Sequence, residues 1–258
     1  METERFVEAD LACASAGRER RAGTRGERFA NVAAAAVIWA AAQFLVLTAI
    51  AMLLYPGGND QDTAAPGYSF TLNFFSDLGA TRAYSHQASA AANGLFIYSL
   101  VFVGITLAAF GLAAREIRGE AGKGRVAAAL AAAAAIISGL AFIGIAATPW
   151  NLAPAAHLDF VQAAFGFLLL FNLCLTALEI RARWNRRLIA ANVVYAVLLA
   201  AYVWLLFWGP TIETRHGLIT QVVAQKAIVY ASILNLGWQA IGFRRARRSA
   251  GRVVDSAG

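Results

Sequence analysis

The chain has 258 residues, of which 59% are hydrophobic and only 14% charged, with a formal net charge of +7. So apolar a balance excludes an ordinary soluble domain, and two cysteines, Cys13 and Cys174, are too few for a disulfide framework. The positive charge flanks apolar runs, where anionic lipid headgroups attract it, so no nucleic-acid partner is expected.

Residues 1–29 carry both charge signs and are expected to form a cytoplasmic tail without fixed structure. The apolar run that follows has 25 residues, against roughly 7–15 for a cleavable signal peptide, and is read as a retained first anchor. A helix crosses a bilayer in about 20 residues, and six segments of an all-α bundle over 30–243 meet that requirement. Ala30–Leu54, Gln87–Ala114, Val126–Thr148, Phe160–Leu178 and Leu188–Trp208 contain no Asp, Glu, Lys or Arg, and Gly217–Phe243 contains one, Lys226. Barrel strands would alternate apolar with polar over about 10 residues, and these runs do not. Loops are expected near 55–86, 149–159 and 209–216, and a basic tail over 244–258.

Orientation follows from the arginines. Eighteen of the 22 Lys and Arg lie just before the first span (Arg18 to Arg28), in the loops after the second and fourth, and in the tail after the sixth. Short loops rich in Lys and Arg stay in the cytoplasm. Both termini are therefore expected inside, in a multi-pass protein of the cytoplasmic membrane.

The polar chemistry then falls on the outer face. "NFFSDLGATRAYSHQ", Asn73 to Gln87, holds Ser76, Asp77, Arg82 and His86. His157 and Asp159 follow "TPWNLAPAA", and His216 follows "GPTIETR". Each has a plain structural use as well. Ser85 suits an N-cap for the second helix with His86 in its first turn, Pro154 suits the first turn of the fourth, and Thr211 or Thr214 suits the cap of the sixth. Three histidines and an aspartate match a zinc inventory, with His86, His157 and His216 as ligands, but no two histidines have the local spacing of a zinc motif.

Lys226 lies nine residues past Gly217, about 14 Å along the helix and near mid-bilayer, where a lysine is costly without water or a partner. Gln221, Gln225, Ser232 and Gln239 fall within about 40° of one another on the same helix, an interior stripe with Lys226 at its edge. Asn192, Tyr195 and Tyr202 in the fifth span, Asn93 in the second and Asn172 in the fourth are expected to face the same interior. Gly104, Gly111, Gly139 and Gly144 let backbones approach.

"SDLGA" (Ser76 to Ala80), "ATPWNLAPAAHLDF" at the third-to-fourth crossing and "QK" in the last span resemble a six-span bacterial and archaeal membrane family called domain of unknown function 998, distantly akin to the Frag, DRAM and Sfk proteins. The resemblance covers most of Val32 to Phe243 and departs at Asn151, where an acidic residue would be expected. It implies lipid-related or membrane-organising work, with Asp77, His157 and Lys226 as the matching positions.

The leading expectation is an outward-facing polar cavity, closed below by Lys226, that binds, senses or moves a lipid or small amphiphile without a cofactor. Lys226 and Arg82 would meet negative charge, and Ser76, Asp77 and His157 would arrange the pocket. The competing expectation is a zinc-dependent membrane hydrolase in which Asp77, His157 or Asp159 handles water. A third is a structural subunit without a ligand.

Overall fold

In hydrocarbon a backbone has no water to bond, so long apolar runs become helices that satisfy their own N–H and C=O groups. The computed structural model describes the backbone of residues 2–115 and 124–255, with side chains described for residues 26, 28–115 and 124–245. In chain order the elements are α1 (Glu2–Leu53), β1 (Gly57–Asn59), β2 (Asp62–Pro66), a 3-10 helix (Phe75–Gly79), α2 (Ala90–Ala114), α3 (Arg125–Ala147), α4 (Pro154–Arg181), α5 (Arg186–Trp208) and α6 (Arg215–Asp255). Six stretches of these helices, each 23 to 31 residues, are apolar and long enough to cross a membrane. The helical assignment of α1 runs back to Glu2, through the segment expected as an irregular tail, and α6 likewise continues past residue 244. Arg118 and Lys123 of the expected basic loop fall outside the described residues, as do the side chains of Cys13 and of the tail arginines before 26 and after 245.

Local chemistry sets most helix starts. Pro154 occupies the first turn of α4, where its missing N–H costs nothing. Asn185 Oδ1 accepts from Arg187 N at 2.9 Å and opens α5, and Thr214 Oγ1 accepts from Gly217 N at 3.1 Å and opens α6. The second helix departs from expectation. It begins at Ala90 instead of Gln87, and Ser85 does not cap it. Ser85 N instead donates to Gly57 O at 3.1 Å, Arg82 and Ala88 form an isolated antiparallel bridge, and His86 sits at φ 62° in the turn between them.

Each helix packs on its neighbours in sequence, and α6 closes back on α1, so the six form a ring in chain order. The α2–α3 contact is the closest. A Cβ on Gly104 or on Gly139 would collide with the other's carbonyl oxygen, and one on Gly111 would collide with Ala135. Gly144 of α3 takes the ring of Phe160 of α4 against its backbone, and Ser138 Oγ donates across the same seam to Ala164 O at 2.7 Å.

Candidate functional site

The α1–α2 connection folds back over the mouth of the ring as a plug. Its first part is the β1–β2 hairpin, whose Gly58 (φ +82°) has no room for a Cβ because Ser85 N and Tyr84 press against it. Its centre is Asn73, which is wholly buried. Asn73 Nδ2 donates to Gly58 O and to Asp77 Oδ2, both at 3.0 Å, while Oδ1 accepts from Ser69 N at 2.9 Å. Tyr68 Oη donates to the carbonyls of Asn73 (3.0 Å) and Phe74 (2.9 Å).

Two side chains of α6 tie this plug to the bundle. Gln225 Oε1 accepts from Phe75 N at 2.8 Å, and Lys226 Nζ donates to the Asn73 carbonyl. The Lys226 ammonium also lies 5.1 to 5.4 Å from the ring centres of Phe70, Tyr68 and Phe75, a cage that replaces part of its lost hydration. Asp77 and Lys226 are thus brought together by Asn73, one through its amide and the other through its carbonyl, without a direct ion pair among the described residues. Burial pushes the Asp77 carboxyl up to about 7, against the pull of its Asn73 and Phe74 donors and of Lys226. Burial, aided by the nearby Asp77, also raises the Tyr68 and Tyr55 phenols.

The α3–α4 loop docks on the plug's flank. Asn151 Oδ1 accepts from Thr81 N at 3.1 Å, Asn151 Nδ2 donates to Thr81 Oγ1 at 2.9 Å, and Trp150 packs on Tyr84 at 4.8 Å between ring centres. A carboxylate at 151 would lack the second of these donors. His157 is buried in the first turn of α4, with Nδ1 2.7 Å from Thr148 O.

The expected site residues therefore divide. Asp77 and Lys226 meet in the plug, and Ser76 is half-buried beneath it. His157 is engaged through Nδ1 at its own helix start while its Nε2 is buried without a partner among the described residues, and Arg82, whose Nη1 donates to His86 O at 3.1 Å, lies exposed with His86, Asp159 and His216. Among the described residues no three of His, Cys, Asp and Glu gather, so the zinc inventory is not assembled into a donor set. The space expected for an open polar cavity is filled by the loop itself.

A cavity of about 110 Å³ does exist, but it lies below the plug inside the ring. Residues of α1, α2, α3, α4 and α6 line it, chiefly aliphatic and aromatic ones such as Val37, Phe44, Leu107, Phe165 and Val229, with Ser76, Thr106, Gln225 and Ser232 as polar points.

Polar contacts at the seams of α5 complete the interior. Tyr195 Oη and Ser232 Oγ are 2.7 Å apart, Gln239 Nε2 donates to Leu188 O at 3.0 Å, and Gln221 Nε2 reaches Leu205 O at 3.3 Å. The expected α6 stripe is thus a hydrogen-bonded seam. Sequence reasoning missed Glu179, which ends beyond the charge-free span yet is wholly buried. Its signal was present: Asn172, Thr176 and Glu179 recur at helical spacing on one face.

No protein-family model matches the chain, and no curated protein or solved structure matches it.

Proposed function

We propose that this multi-pass protein resides in the cytoplasmic membrane with its arginine-rich face inside, and that it binds the apolar part of a lipid or other small amphiphile within the ring, as a sensor or carrier. The observation that carries this reading is the apolar cavity beneath the plug. Apolar cavities of about 150 Å³ stay dry and take up a ring the size of benzene, so a space of about 110 Å³ suits the end of an acyl chain or a small apolar group. The plug supports the reading too, since it covers one end of the space and is held by Gln225 and Lys226, which belong to the same helix as the cavity wall. Its buried charges, Asp77 and Lys226, are each bonded to Asn73, so recognition falls to shape and apolar contact rather than to a headgroup.

The test is photocrosslinking of full-length protein in nanodiscs with a diazirine-bearing fatty acid, followed by peptide mapping. Labelling is expected at Val229 and Ile233 in addition to lipid-facing Val197, and Val229→Phe is expected to abolish the interior labels while sparing Val197. Labelling confined to lipid-facing positions in both proteins would refute the reading and leave a structural subunit.

A further inference from the structure

Away from the plug, α4, α5 and α6 converge on a second polar group. Asn172 and Glu179 of α4, Asn192 of α5 and Asn235 of α6 are each 7% exposed or less, and Glu179 and Asn192 are wholly buried. Asn192 is the hub. Its Oδ1 accepts from Asn172 Nδ2 at 2.9 Å and from Asn235 Nδ2 at 2.8 Å, and its Nδ2 donates to Glu179 Oε2 at 2.8 Å. This pattern orients the amides, because turning Asn192 over would aim its NH₂ at two others.

What remains is one-sided. Glu179 Oε1, Asn172 Oδ1 and Asn235 Oδ1 are buried and accept no hydrogen bond. Each belongs to a side chain bonded directly to the Asn192 amide, Asn172 and Asn235 at its oxygen and Glu179 at its nitrogen, so each lies within one side-chain group of the hub. All three are acceptors, one carries a formal negative charge, and Glu179 forms no ion pair among the described residues. Buried acceptors left unpaired are destabilising, and a buried carboxylate without a counter-charge is more so. A proton on Glu179 would turn one oxygen into a donor and serve one amide. A small monovalent cation offers charge to all three oxygens and cancels the single negative one, and oxygen donors of this kind are those that hard cations prefer. Divalent sites of oxygen ligands draw on more than one carboxylate in most cases.

We infer that Glu179, Asn172 and Asn235, arranged around Asn192, form an intramembrane binding site for a monovalent cation of the sodium or potassium class. Occupancy would clamp α4, α5 and α6 together, because one ligand comes from α6, two come from α4, and the hub comes from α5.

A cation that binds the folded state raises its melting temperature with concentration. The experiment follows thermal unfolding of purified full-length protein in detergent across titrations of NaCl, KCl and N-methylglucamine chloride at constant ionic strength. Sodium or potassium is expected to raise Tm saturably while N-methylglucamine does not. Glu179→Gln is expected to lose the response while melting no lower than wild type in the cation-free medium. Asn172→Ala, which keeps the charge, is expected to weaken the apparent Kd roughly tenfold, the scale of one charge-assisted contact. Equal melting in all three salts, or an undiminished response in Glu179→Gln, would overturn the site and leave Glu179 as a protonated acid. Should Glu179→Gln fail to fold, an unchanged Kd in Asn172→Ala would overturn it equally.

Discussion

The two sides of the ring are held by different means. Between α2 and α3 the backbones touch at Gly104 and Gly139, and no side-chain hydrogen bond crosses the seam among the described residues. Around α5 the contacts are polar: Tyr195 with Ser232, Asn192 with Asn172, Asn235 and Glu179, and Gln239 with the Leu188 carbonyl. Lipid tails are as apolar as Leu, so burying Leu between helices gains little over leaving it in lipid. A membrane bundle must gain its cohesion from close van der Waals approach or from bonds the lipid cannot make, and this protein assigns one solution to each side. The first is rigid and intolerant of added volume; the second is adjustable, since hydrogen bonds can exchange partners.

The largest effect is expected where that rigidity is tested. Gly104→Leu should cost about 3 kcal/mol or prevent folding, the upper range for overpacking, read as loss of the monodisperse species by size-exclusion chromatography. Lys226→Met, isosteric along most of its stem, removes the donor to Asn73 and the charge within the aromatic cage. We expect a loss of about 2 kcal/mol with faster proteolysis between β2 and α2, while the α2–α3 contact, followed by a disulfide engineered across it, is unaffected. Asn192→Leu should cost less, about 1 to 2 kcal/mol, because interhelical hydrogen bonds in membranes are individually modest. Its signature is hydrogen exchange that rises in α5 and α6 but not in α2 and α3.

Smallest per step of the variable is the pH slope. Asp77 has a folded value of about 7, above the 3.8 of an unperturbed carboxyl, so between those limits the folded state binds more protons than the unfolded one. Stability must then fall as pH rises through that window, with no further loss above it. The slope cannot exceed that of one proton, about 1.4 kcal/mol per pH unit. Asp77→Asn should flatten it, as followed by thermal melts between pH 4 and 8.

Much of this division was legible in the residues. Six charge-poor runs announced six helices, because hydrocarbon leaves the backbone no other option. Gly104, Gly139 and Gly144 marked the close side, and Gln225, Ser232 and Gln239 at helical spacing marked the polar one. The plug was not legible. A loop containing Asp77, Arg82 and His86 reads as solvent-facing chemistry, and nothing local says that Asn73 will turn inward to gather a carbonyl, a backbone N–H, a carboxylate and a lysine from a helix 153 positions away. Long-range pairing of that kind depends on which helix closes the ring. Glu179 escaped for a different reason: hydropathy treats a terminal acid as the edge of a span, whereas Asn192 on the neighbouring helix draws it inside.

One helix joins the plug, the cavity and the polar group. Within ten residues of α6, Lys226 grips the plug, Val229 and Ser232 wall the cavity, and Asn235 bonds to the hub of the polar group. At about 1.5 Å of rise per position these points are strung along some 14 Å of a stiff rod. A guest that shoulders Val229 aside must therefore pull on both anchorages together, so a message received in the hydrocarbon would be delivered to two distant addresses by a single mechanical lever.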